Sequence, residues 1–512
     1  MRGRLWSCGL AQPSNDLKRT AQDFFHKPIT TAANVAGILF SMTYRLVILL
    51  LSLGATLPAA AQKLPAQDWP TFGGNVQSTS ANPEPTGINA TNLTQLVRRQ
   101  VKLAGTVDAS AIYLSGVSIH GSAHDAIFVT TTYGKTLALD ASSGATLWDY
   151  TPASYSKVAG TRQITNSTPV ADPDRQFIYA ASADGYVQKL AVSDGHPVWR
   201  TAITLLAKRE KMDSPLKFYG GHVVAVTAGY VGDQSPYQGH VAVLDGASGQ
   251  LLHVWNSLCS DRTGLLQPQS CAQSDSAIWG RAGAVIDPAS GNIHVATGNA
   301  PWDGKTAWGD SVIELNPDAT VMLGNYTPSN TAALDKEDAD LGSSSPVLLG
   351  GELIAQGGKD GNIRLLSRRG IAGAAPHMDH ELQIVPTPSG TDLFAQPATW
   401  KNLGQTWLFA ADGGGTAAWL LENGKLQQKW KNGTGGSSPF EADGMLFVYA
   451  PAGGLNIYDA ASGKFLITLP CGAGHWNSPI VLQGRIILPE GNANAHAASG
   501  VLDIWSLPAA GS

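Results

Sequence analysis

One short phrase recurs along this chain: an apolar strand, a small Asx-type turn, a glycine, and a second strand that often carries tryptophan. It reads TLALDASSGATLWDY at 136–150, VQKLAVSDGHPVWRT at 187–201, VAVLDGASGQLLHVW at 241–255 and LNIYDAASGKFLITL at 455–469. Looser copies stand at VIELNPDATVMLGNY (312–326), IRLLSRRG (363–370), AAWLLENGKLQQKW (417–430) and VLDIWSLP (501–508), which makes eight. Each phrase predicts a β-hairpin. Leu137 and Leu139 alternate onto one face, Asp140 accepts backbone N–H groups across the turn, and Gly144 supplies the positive φ that a side chain resists. Trp148 and Trp199 lie four residues past their glycines and Trp255 and Trp430 six past theirs, so all four share a strand face. A hairpin of this size cannot bury that face alone. The copies must stack radially, and the closed solution is a ring. The expected fold is all-β, an eight-bladed β-propeller closed by pairing a strand after the N-terminal leader with the C-terminal blade.

A second repeated element marks the axis of that ring. Asn166-Ser167-Thr168-Pro169, Ser344-Ser345-Pro346, Ser437-Ser438-Pro439 and Asn477-Ser478-Pro479 each precede an apolar strand. Proline suits the first residue of a strand or an unpaired edge, and small side chains suit a crowded centre. These strands are therefore expected innermost. The residues just before each proline would then line one mouth of the channel, where a ligand meets several blades. His475, Trp476 and Asn477 are candidate ligand contacts there.

Composition narrows the function classes. Net charge is -5 with no long basic or acidic run, which favours neither nucleic acid nor an anionic membrane surface. Charged region, apolar VILLLSLGATL and Ala59-Ala60-Ala61 before Gln62 compose a signal peptide over 42–61, with translation starting at Met42 and 1–41 a dispensable extension. The apolar run is too short to span a membrane, so no stable membrane span is expected after cleavage. The domain is then 62–512, exported to the periplasm or the extracellular space. Cys259 and Cys271 bracket a turn-rich loop in that exported chain and read as a disulfide, leaving Cys471 unpaired and buried. No CxxCH stands in the sequence, so covalent c-type haem is not expected.

The repeat LDaxxGxxxW and the lead-in DWPTFGGNVQSTSAN at 68–82 resemble the quinoprotein alcohol dehydrogenase-like superfamily, whose eight-bladed propellers carry pyrroloquinoline quinone (PQQ) repeats. The resemblance covers about 68–508. A more local match, IWGRAGAVIDPASGNIHVATGNAPWDG at 278–304, is similar to the segment in which a tryptophan lies under PQQ and a TGN asparagine helps bind calcium. This implies Trp279 as the floor and Asn299 as a metal ligand. EDADLGSSSPVLL and GGKDGNIRLL resemble the segments supplying the catalytic aspartate and the cation near the quinone carbonyl. Those roles fall to Asp340, with Asp338 as competitor, and to Lys359.

Two features depart from the pattern. The calcium-binding glutamate of the family falls near Gln234, which keeps an oxygen but loses the charge. The adjacent Cys-Cys pair that covers the quinone in many members has no counterpart in 160–173. The resemblance implies a PQQ- and calcium-dependent dehydrogenase of an alcohol or sugar, with a separate electron acceptor because no haem domain is fused. The alternative is a non-catalytic scaffold binding a protein or glycan at the channel mouth.

Overall fold

The computed structural model describes residues 67–508. The expected extension and signal peptide lie outside the described residues; among the described residues, no helix is long and apolar enough to cross a membrane. Eight radial antiparallel sheets surround one axis: blades 1 to 4 at 112–150, 170–202, 217–256 and 285–326, and blades 5 to 7 at 347–386, 398–432 and 440–469. Blade 8 takes three strands from 480–506 and its outermost from Val97–Leu103, which runs antiparallel to Gly500–Ser506. The ring therefore closes as expected. The looser phrases depart from a tight hairpin in two places. Residues 363–367 reach their partner strand Glu381–Pro386 only after a 3₁₀ turn and a loop, and the strand Gly500–Ser506 pairs with Val97–Leu103 in place of a hairpin partner.

Local chemistry explains the hairpins. Asp140 Oδ1 accepts the N–H groups of Ser142 (3.1 Å) and Ser143 (2.8 Å), and Gly144 sits at φ 75°. The tryptophans do more than fill a face. Trp148 Nε1 donates to Val192 O at 2.9 Å in the next blade, and a Cβ on Gly195 would lie 2.6 Å from the Trp148 ring. Trp199 repeats the arrangement on Gly249, and Trp430 on Gly463. At these three places the glycine of one phrase is a seat for the tryptophan of the phrase before it.

The small residues ahead of the innermost strands tie the blades into a ring around the axis. Ser110 Oγ donates to Ser478 O and Ser478 Oγ to Ser438 O, both at 3.0 Å. Gln396 N–H donates to Ser438 Oγ (2.9 Å), Ser345 N–H to Gln396 Oε1 (3.0 Å), and Ser345 Oγ to Gly283 O (3.0 Å). Ser214 Oγ reaches Gly280 O (2.9 Å), Leu216 N–H reaches Thr168 O (3.2 Å), and Ser110 N–H reaches Thr168 Oγ1 (3.1 Å). Each bond crosses a blade boundary, and together they complete the circle.

The lead-in segment closes the other end. Between Trp69 and Asn82 it pairs in turn with Tyr113, Ala171, Leu216, Ile286, Thr399, Glu441 and Val481, all on innermost strands except Leu216, which immediately precedes one. Phe72 packs on Val285 and Leu348. The end at which the innermost strands begin is left open.

Candidate active site

The open end holds a cavity of about 940 Å³, lined by the segments that lead into blades 3, 4, 5, 6 and 8. Its aromatic wall comes from three lead-ins. Trp279 lies 5.8 Å from Phe394, and Phe394 lies 5.6 Å from Trp476, centroid to centroid. All three rings are half-buried, so each keeps a face toward the cavity.

Asp338 and Asp340 come from the segment after the short helix Thr331–Glu337. That helix stops because Asp338 turns left-handed at φ 56° and donates its N–H to Leu334 O. Asp340 then sinks against blade 4, only 5% exposed. Its Oδ1 accepts Asn299 N–H at 2.6 Å, an approach open only because residue 298 is glycine: a Cβ there would meet Asp340 Oδ1 at 2.6 Å. Lys359 sits in the turn of blade 5, its N–H donated to Asp340 O at 2.9 Å. Its Nζ reaches Asp340 Oδ2 at 2.5 Å and Asp338 Oδ1 at 3.0 Å, and lies 5.3 Å from the centre of the Trp279 ring. Asn299 Nδ2 completes the group by donating to Asp338 Oδ1 at 3.1 Å.

Burial pushes the Asp340 carboxyl above the usual carboxylate range, with Lys359 and the Asn299 N–H pulling it partway back. For Lys359, burial works against the charge and the two aspartates outweigh it, so the ammonium is retained. A buried carboxyl raised toward neutrality and held beside a fixed cation is suited to general-base work.

A second polar group, missed at the level of sequence, lies in the same cavity. Asp213 is buried at the cavity wall, with Lys211 Nζ at 3.1 Å from Oδ1 and Arg281 Nη2 at 3.2 Å from Oδ2. Burial opposes its charge, and Lys211 and Arg281 outweigh burial, holding the carboxyl below its usual range. The Arg281 guanidinium lies 5.0 Å from the Trp476 ring centre. His475 Nδ1 is 2.8 Å from Asp108 Oδ2, and Asp108 also accepts from Asn166, Trp476 and Ala493. Asp213-Ser214-Pro215 and Gln396-Pro397 repeat the element that marks the innermost strands, so Asp213 and Phe394 carried a legible signal.

Trp279, Asn299, Asp338, Asp340, Lys359, His475 and Trp476 all face this one cavity. Two candidates do not. Asn477 is fully buried, its Nδ2 donated to Val107 O (2.7 Å) and its Oδ1 accepting His475 N–H (3.0 Å). It shapes the cavity edge without lining it. Gln234 lines a smaller neighbouring cavity, where its Oε1 accepts from Arg209 Nη1 at 3.1 Å. Asp233 at φ 42° reverses the chain and takes the cavity-facing position instead, its Oδ1 accepting the Tyr237 hydroxyl at 2.9 Å. Elsewhere, Cys259 and Cys271 form the expected disulfide, with Cα atoms 5.9 Å apart. Cys471 is free, as expected, but half-buried and not buried.

Fold and repeat together define the class: an eight-bladed β-propeller that is similar in fold to quinoprotein alcohol dehydrogenases. Residues 91–252 match the PQQ_2 family, described as outer membrane protein assembly factor BamB. A polyvinylalcohol dehydrogenase from Pseudomonas sp is 23% identical over 280 residues, 50% of this chain. The match spans 41% of that relative's own length. Among solved structures, the quinohemoprotein alcohol dehydrogenase of Comamonas testosteroni superposes with a TM-score of 0.65 at 15% identity, over 88% of this chain and 83% of that one. A europium-containing methanol dehydrogenase gives the same TM-score and identity over 86% of this chain and 98% of its own.

Proposed function

We propose that this protein is an exported dehydrogenase that uses PQQ to oxidise an alcohol or sugar hydroxyl and passes the electrons to a separate acceptor. The observation that carries the reading is the buried Asp340–Lys359 pair at 2.5 Å, set beside the Trp279 ring in the one cavity that gathers the lead-ins of five blades. The donor set suits a flat, polyanionic quinone. Trp279 and Phe394 present aromatic faces, and Lys211 and Lys359 present cations to carboxylates and carbonyls, with Arg281 buried behind them on Asp213. PQQ, when bound, supplies the two-electron acceptor for the hydrogen on the carbinol carbon.

The protein's own residues do the rest. Asp340 takes the hydroxyl proton of the substrate, because its raised affinity for a proton makes it a better base than an exposed carboxylate. Lys359 keeps Asp340 oriented and holds positive charge at that end of the cavity. Asn299 fixes the other carboxylate oxygen through its backbone N–H. Asp213 holds Lys211 and Arg281 in place across the cavity. The disulfide between Cys259 and Cys271 supports an oxidising compartment outside the cytoplasm. A scaffold reading is not favoured, since it leaves the buried acid–base pair without a task.

The test is direct. Purified protein titrated with PQQ quenches its tryptophan fluorescence and then reduces a dye in the presence of an alcohol. Simple primary and secondary alcohols, poly(vinyl alcohol) and aldoses form the first panel, the polymer being suggested by the name of the Pseudomonas relative. Absence of both quenching and dye reduction across the panel would sink the proposal.

A further inference from the structure

Both oxygens of the buried carboxylate that a divalent cation would need at this site already have partners. Calcium takes about 6–8 oxygen ligands and draws its affinity from carboxylate charge. Here Asp340 spends one carboxylate oxygen on Asn299 N–H (2.6 Å) and the other on Lys359 Nζ (2.5 Å). Asp338 Oδ1 is shared by Lys359 Nζ (3.0 Å) and Asn299 Nδ2 (3.1 Å). Asp233 Oδ1 takes the Tyr237 hydroxyl (2.9 Å), and Gln234 lies in the neighbouring cavity on Arg209. Among the described residues, no three His, Cys, Asp or Glu side chains converge as metal ligands.

What stands at the centre of this oxygen set is an ammonium. Lys359 is anchored at both ends, by its backbone N–H on Asp340 O and by its Nζ between two carboxylates, and its side chain is 15% exposed. A dication brought to the same oxygens would displace that ammonium or sit against it, and like charges at contact distance inside a partly dry site repel strongly. Lys359 Nζ also lies over the Trp279 ring, 5.3 Å from its centre. The position calls for a fixed positive charge, and the chain supplies one of its own.

We infer that Lys359 takes the place of the divalent cation, so that this cavity binds PQQ without calcium. The inference rests on the quinone reading above, and the experiment separates the two. The full chain, stripped with EDTA, is titrated with PQQ in EDTA and again in excess calcium, with tryptophan quenching as the readout and elemental analysis of the PQQ-loaded protein alongside. The expected result is an affinity that agrees within about twofold between the two conditions, with calcium far below one per chain. Lys359→Met weakens PQQ by about tenfold or more in EDTA, while Lys359→Arg retains most of the binding. Quenching that appears only with calcium, accompanied by stoichiometric metal, overturns this inference and leaves the dehydrogenase reading intact. Absence of quenching in both conditions overturns both. The wild-type comparison needs no variant to fold.

Discussion

Asp340 carries opposite demands, since burial favours its neutral form and Lys359 favours its anion. Because turnover requires the anion, the rate should rise with pH through an apparent pKa above the ordinary carboxylate range. Lys359→Met removes the cation that pulls that pKa down, so the acid limb of the pH–rate profile should move to still higher pH. Asp340→Asn should cut turnover by about 10²–10⁴-fold while PQQ still quenches tryptophan fluorescence, because only the proton acceptor is lost. Equal loss of binding and turnover in Asp340→Asn would show instead that Asp340 holds the ligand. Gln234→Glu is expected to change neither PQQ nor calcium affinity, since residue 234 faces Arg209 and not the cavity.

At the scale of the strand and turn, stability resides in contacts that cross from blade to blade. Gly195→Ala drives a methyl group into the Trp148 ring at 2.6 Å and strains a φ of 76°, and both effects act against the fold. A loss of about 1–3 kcal/mol in denaturant unfolding is expected, against a few tenths for alanine at the open turn glycine Gly424 beyond its own φ strain. Glu441, on the innermost strand of blade 7, is fully buried; its Oε1 accepts Gly444 N–H at 2.9 Å and its Oε2 has no partner. Burial raises its carboxyl to about 8. A folded-state value above the unfolded one stabilises the protein at low pH, and that contribution is lost as pH climbs from about 4 through about 8. Glu441→Gln should therefore flatten the fall of Tm over this window, by up to about 1.4 kcal/mol per pH unit. An unchanged slope would mean that Glu441 ionises in the folded protein as it does unfolded.

For the molecule as a whole, closure depends on a strand borrowed from the far end of the chain. Arg98 on that strand pairs with Asp503 (2.7 Å) and Glu490 (3.0 Å), and Asp503 is completely enclosed. Arg98→Ala leaves a buried carboxylate unpaired and should cost about 3–5 kcal/mol, with amide exchange accelerating first along 97–103 and 500–506. Uniform acceleration around the ring would show that the blades unfold as one unit. The disulfide closes only a short loop, so Cys271→Ser should cost about 2–3 kcal/mol and leave the propeller folded.

The sequence by itself determined the ring and its count. Each phrase is a local unit whose glycine, Asx turn and alternating strand specify a hairpin, and eight such units with one apolar face each have a closed stack as their common solution. The axis was legible from Ser438-Pro439 and its counterparts, because proline and small residues report crowding directly. Trp279, Asn299, Asp340 and Lys359 were legible as a set from the resemblance of their segments. Tertiary structure decided what those residues meet. Trp148 was visibly on a buried face, but only stacking showed that Gly195 of the next blade is its seat. Gln234 and Asp233 are adjacent in sequence, and a single left-handed residue decided which one turns to the cavity. Phe394, Asp213 and Lys211 come from blades far apart along the chain, and no local pattern states that a closed ring brings them within reach of Trp279 and Arg281. The reason is physical: hairpin chemistry acts over a few residues, whereas the site is composed at the axis, where the first strands of every blade converge.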